Sequence, residues 1–109
     1  MVLPVIGLII GVIIGVSFPI TVPVEYAKFL SVALLASLDS VFGGLRAGME
    51  EKFDNTVFIT GFFTNALLAA GLVYVGERLG IDLYYVSLLV FGLRIFQNLA
   101  IIRRYFLKK

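Results

Sequence analysis

The chain has 109 residues, of which 61% are hydrophobic and only 15% charged, with a formal net charge of +2 and a mean hydropathy of +1.06. A soluble fold of this size leaves much of its surface in water and could not hide so much apolar area, so lipid is the expected solvent. The absence of cysteine and histidine removes thiol nucleophiles, disulfides, imidazole acid/base chemistry and the two commonest transition-metal side chains, and with them the usual tools of most enzyme classes.

The first segment, Leu3 to Phe18, is apolar apart from its glycines and Ser17, and Pro4 sits where a first helical turn tolerates a missing N–H. It is slightly short for a span of about 20 residues, so the flanks are expected to complete a span over 3–20, with Pro19 to Val24 forming an outer turn. A cleavable signal peptide is the rival reading, but the segment has neither a basic start nor a small-x-small cleavage site. Gly7, Gly11 and Gly15 recur every fourth residue on one helix face, which lets another backbone approach closely, within the monomer or between subunits.

The second predicted span covers 25–49. Glu25 suits its positive dipole end, and Glu50, Glu51, Lys52 and Asp54 mark the return to water. Gly43 and Gly44 offer a second place for close helix contact. The third, over 56–76, has Asp54 or Asn55 available as a cap and Gly80 as a stop. The fourth, over 83–102, begins behind Asp82 as its N-cap and ends in a basic tail.

Connections this short make sequence neighbours antiparallel neighbours in space. The expected fold is therefore all-α, a single-domain integral membrane bundle of four transmembrane helices. Arg46, Lys52, Arg103, Arg104, Lys108 and Lys109 fall on one side of that bundle and Lys28 and Arg78 on the other, which places both termini in the cytoplasm in a single orientation.

Asp39 and Arg94 are the sharpest features inside the spans, because an ionisable residue there costs about 2.5–3.5 kcal/mol on insertion scales unless it finds a partner or water. Both lie roughly 10–14 Å below the cytoplasmic interface at helical rise, so they are expected to form an interhelical ion pair. Asn65, Gln97 and Asn98 are expected to satisfy its remaining hydrogen-bonding capacity, either as a locked polar core or as a conduction or ligand site. Arg46 can snorkel to the headgroups and, with Arg103, Arg104, Lys108 and Lys109, forms a basic cytoplasmic anchor able to meet lipid phosphate.

The phenylalanines read as apolar filling, and Tyr26, Tyr84, Tyr85 and Tyr105 as interfacial rings. Glu50, Glu51 and Asp54 lack calcium-loop spacing, and no nucleotide loop, nucleophile elbow or carboxylate pair can be assembled. No catalytic residue, metal, cofactor or nucleic-acid partner is expected. A weak internal echo, Ser37 to Arg46 against Ser87 to Arg94, shares a Phe-Gly-Leu-Arg core and raises the possibility of a parallel repeat.

Four stretches, LPVIGLIIGVIIG, SLDSVFGGLRA, FITGFFTNALLA and FGLRIFQNLAIIRR, fix polar residues inside apolar runs. In these, and across nearly its full length, the chain resembles the small basic protein family of Gram-positive bacteria and their relatives. The resemblance implies a multi-pass protein of the bacterial cytoplasmic membrane, encoded beside cell-division and envelope genes, without an established activity. The leading expectation is a non-enzymatic structural or assembly component that self-associates through its glycine faces, contacts membrane lipid and meets other envelope or division membrane proteins. The alternative is a small ion channel or transporter with a polar intramembrane site around Arg94, since the glycine-Leu-Arg and Phe-Phe-Thr-Asn segments are faintly similar to dimeric fluoride channels. Against that alternative, the third span has no serine/threonine-rich break and the charge bias disfavours antiparallel pairing.

Overall fold

The computed structural model describes residues 2–18 and 20–108; Met1, Pro19 and Lys109, and the parts of the first flank, outer turn and basic anchor that fall on them, lie outside the described residues. The described residues form four helices: α1 (Val2–Ser17), α2 (Val24–Met49), α3 (Asn55–Leu79) and α4 (Leu83–Leu107). Three of them, α2, α3 and α4, are long and apolar enough to cross a membrane. With 25 or 26 residues each they run about 38 Å at helical rise, more than the hydrocarbon thickness of a bilayer.

Helix α1 is shorter than its predicted span. It stops at Ser17 rather than reaching residue 20, because a proline at 19 disfavours helical geometry at Phe18. Its 16 residues reach about 24 Å. Helices α3 and α4 instead outrun their predicted spans, to Leu79 and Leu107. Glu77, Arg78, Arg103 and Arg104 end the apolar run, but charged residues do not end a helix, and α3 continues until Gly80 turns left-handed at φ 72°. There the Ile81 N–H donates to the Gly76 carbonyl and closes the end.

The caps divide. Asp54 stands before α3 and its carboxylate accepts from the Val57 N–H at 3.0 Å. Asp82 occupies the same position before α4, yet its side chain makes no capping hydrogen bond, so the expected cap is positional only. At the end of α2 the Lys52 N–H donates to the Ala47 carbonyl around Glu51, which takes φ 59°, a conformation normally left to glycine.

Helix α2 is the hub and packs against each of the other three helices. Val32 and Ala36 of α2 meet Ala69 and Val73 of α3 in a small core, flanked by Phe29, Tyr84 and Phe91. Most large apolar side chains are exposed on the outside, as expected where lipid is the solvent. Pro4 and Phe58 both press on Gly44, where a β-carbon would lie 3.0–3.2 Å from them. That contact sets the first turn of α1 at the same end as the α2–α3 turn. A cleft lined by Glu50, Arg104 and Lys108 brings the end of α4 there too.

Candidate functional site

Contacts between α2 and α4 rise together along the two helices: Lys28 lies over the Tyr84 ring at 5.4 Å, Asp39 meets Arg94, and Arg46 meets Asn98. The two helices therefore run parallel, with Asp39 level with Arg94. The Phe-Gly-Leu-Arg echo equates Arg46 with Arg94, which this register separates by seven residues, or about 10 Å of rise. A parallel repeat about an axis along the bundle would put equivalent residues at one depth, so the register counts against that reading.

Asp39 and Arg94 come together as their depths suggest, with Arg94 Nη2 3.2 Å from Asp39 Oδ2. The pair is lopsided: the Asp39 side chain is 0% exposed while that of Arg94 is 53% exposed. Neither carboxylate oxygen accepts an aligned hydrogen bond among the described residues, so charge attraction rather than a bidentate fork holds the contact.

The remaining polar residues do not gather round that pair as the sequence suggests. Asn65 Nδ2 donates instead to Ser40 Oγ at 3.3 Å, tying α3 to α2. Successive residues on a helix point about 100° apart, so Asp39 faces α4 while Ser40 faces α3. Asn98 is buried and accepts from Arg46 Nη1 at 3.3 Å. Gln97, one residue earlier, is exposed and lies outside the cluster. Arg46 is not a free snorkelling anchor either: its Nε is also 3.4 Å from Glu50 Oε1, one turn on. The outcome is a polar seam on α2 with three separate rungs, not one cluster. Ser87, buried on α4, has an Oγ without a hydrogen-bond partner among the described residues.

The predicted packing glycines also separate. Gly44 is closed by Phe58 and Pro4, and a β-carbon on Gly43 would sit in ordinary contact with Asn98 Nδ2 at 3.7 Å. At Gly7, Gly11 and Gly15 an added β-carbon would meet nothing within 4 Å. Gly7 and Gly11 line an apolar groove of about 590 Å³ between α1, α2 and α3, with Leu34, Phe62 and Phe63 opposite. Sequence reasoning passed over Gly76, whose β-carbon would fall 2.6 Å from the Ile81 carbonyl oxygen, and over Ser40. The Arg46–Glu50 pair was legible as an i, i+4 spacing; nothing local distinguishes Gly76 from its neighbours.

Of the basic anchor, Arg103 and Arg104 are exposed on the last turns of α4, and Lys108 follows at its left-handed end with φ 56°. At the other end of the bundle Lys28 lies over Tyr84, and Arg78 both donates to the Tyr74 hydroxyl at 3.1 Å and stacks on that ring at 5.2 Å.

Residues 22–107 match the family described as Protein of unknown function (DUF1290). The chain is 48% identical to a Bacillus subtilis protein named "Small basic protein" over 109 residues, covering all of this chain and 90% of that one. It is also 49% identical over 78 residues to uncharacterized proteins of Mycobacterium bovis and Mycobacterium tuberculosis, covering 70% of this chain and 64% of theirs, so it spans less than two thirds of those mycobacterial relatives. No solved structure matches. The family match and the full-length similarity to the Bacillus protein agree: the chain belongs to the small basic, DUF1290 family.

Proposed function

We propose that this chain is a non-enzymatic, four-span protein of the bacterial cytoplasmic membrane that self-associates as a structural or assembly component. In this reading both termini and the α2–α3 turn face the cytoplasm, where Arg46, Lys52, Arg103, Arg104 and Lys108 gather at one end and meet anionic headgroups. The proximity of Pro4 to Gly44, and of Glu50 to the end of α4, supports a common side for the termini. The family resemblance, which implies genes beside those of division and the envelope, supports a place in those processes.

The observation that carries the reading is the contrast among glycines. Gly44 and Gly76 are spent on close approaches inside the monomer, whereas Gly7, Gly11 and Gly15 line up on α1 and meet nothing. A stripe of small residues left open in the monomer suits van der Waals packing against another helix in lipid. Gly11→Leu is expected to reduce the size of complexes extracted in native lipid discs while leaving membrane insertion intact. Unchanged complexes would contradict the reading.

A second reading, an ion pathway around Arg94, draws on the half-exposed guanidinium at the middle of α4. Liposomes carrying the full chain distinguish it. Fluoride or proton flux abolished by Arg94→Ala would establish the pathway, and absence of flux would leave the structural reading.

A further inference from the structure

Among the described residues Arg94 has one polar contact, the single approach of Nη2 to Asp39 Oδ2. A guanidinium presents five N–H donors. The others project from α4 with half the side chain uncovered, near the midpoint of a 25-residue apolar helix. Hydrocarbon offers no acceptor, and each unsatisfied donor there is costly. Arg94 lies nine residues before Arg103, about 13 Å along the helix, farther than its side chain extends while held at Asp39. Lipid therefore does not complete this site.

Water alone does not complete it either. The exposed positions of α4 around Arg94 are Val86, Leu89, Val90, Leu93 and Phe96, and the polar residue that joins Arg94 on that surface is Gln97. A conducting column needs polar lining along its length, and these positions are apolar. Val90, Leu93, Arg94 and Gln97 follow an i, i+3, i+4, i+7 pattern and form one stripe. The stripe carries surplus donors at Arg94 and, one turn further on, an amide whose carbonyl has no hydrogen-bond partner among the described residues. A surface holding a donor and its matching acceptor one turn apart is self-complementary under two-fold symmetry.

We propose that a second copy of this chain covers this stripe, with parallel α4 helices packed side by side and Arg94 of each copy donating to Gln97 of the partner subunit. Their depths differ by about 4.5 Å, which the arginine side chain spans. Each Asp39–Arg94 pair is neutral, so bringing two together adds no net charge to the interface. The inference rests on the self-association proposed above and assigns α4 as a face of it, distinct from the glycine face of α1.

Because the chain contains no cysteine, single-cysteine variants report contacts without background. Full-length protein carrying Val90→Cys or Leu93→Cys, both exposed positions of the stripe, in native membrane vesicles is oxidised with copper–phenanthroline. Leu67→Cys, on an outward position of α3 that is 73% exposed, serves as the lipid-facing control, and Ile14→Cys, beside Gly7 and Gly11 on the glycine face, reports on α1. The expected result is disulfide dimer at Val90→Cys and Leu93→Cys, several-fold above Leu67→Cys. Adding Gln97→Leu to Leu93→Cys lowers the yield, whereas Gln97→Glu preserves it by supplying a carboxylate acceptor. Dimer at Ile14→Cys with none above control on α4 would overturn the α4 interface and leave self-association standing. No dimer at any position would overturn both. Labelling of Leu93→Cys by a charged, membrane-impermeant maleimide would show a hydrated path and also overturn the α4 interface.

Discussion

Helices α1 and α2 are both apolar and both rich in small residues, yet α2 is the centre of the bundle and α1 is held at its edge. In α1 only Pro4 is buried, whereas α2 buries Val32, Ala36, Asp39, Val41 and Gly44. Hydropathy does not explain the difference, since α1 is the more hydrophobic of the two. In the membrane proposed above, an apolar side chain gains little by leaving the outside for the inside, so position is decided by polar groups that need partners and by backbones that can approach closely. Helix α2 has both, through Asp39, Ser40, Arg46 and Gly44. Helix α1 has no polar side chain before Ser17, its last residue, and its glycines meet nothing in the monomer.

That comparison can be broken most severely at the ion pair. Arg94→Leu leaves the Asp39 carboxylate fully buried without a counter-charge and is expected to cost on the order of 3–5 kcal/mol. Asp39→Asn strands a guanidinium that is already half exposed and should cost less. Chemical unfolding in detergent micelles measures both; equal losses would show that the burial difference has no energetic weight.

Next are the glycines. Gly76→Ala drives a β-carbon to 2.6 Å from the Ile81 carbonyl oxygen, which is backbone and cannot swing aside, so a loss of about 1–3 kcal/mol is expected. Gly11→Ala meets nothing and should leave monomer stability unchanged or raise it by about 0.5–1 kcal/mol through helix propensity. The same unfolding series checks the pair, and a comparable loss at Gly11 would mean that α1 packs within the monomer after all.

Smaller effects sharpen the ends of the helices. Asp54→Ala removes the hydrogen bond to the Val57 N–H and should cost about 1 kcal/mol, whereas Asp82→Ala, with no such bond, should be near neutral. Glu51→Gly relieves a left-handed residue at the α2–α3 turn, with a gain of about 0.5 kcal/mol expected in thermal unfolding.

Much of the fold is legible because each helix is marked by a long apolar run with charged or turn residues at its ends. The misplaced limits have one physical source: hydropathy marks where a span meets water, while proline, glycine and backbone closure mark where a helix stops. That is why α1 ends early beside a proline and α4 continues past Arg103. Within the site, the meeting of Asp39 and Arg94 could be read from depth, which is a one-dimensional quantity. The partners of Asn65 and Asn98 could not, since the choice between Asp39, Ser40 and Arg46 depends on helix rotation. Gln97 shows the same limit: sharing a side with Arg94 did not bring it inside the bundle.

The central claim is that one buried carboxylate and one half-exposed guanidinium fasten α4 to α2. It is tested most directly by a double-mutant cycle with Asp39→Asn, Arg94→Leu and the two combined, followed by unfolding in the same micelle. The account predicts that the double variant is more stable than Arg94→Leu alone, because removing the second charge relieves the first. Strictly additive losses would contradict it and mean that the two side chains do not act on each other.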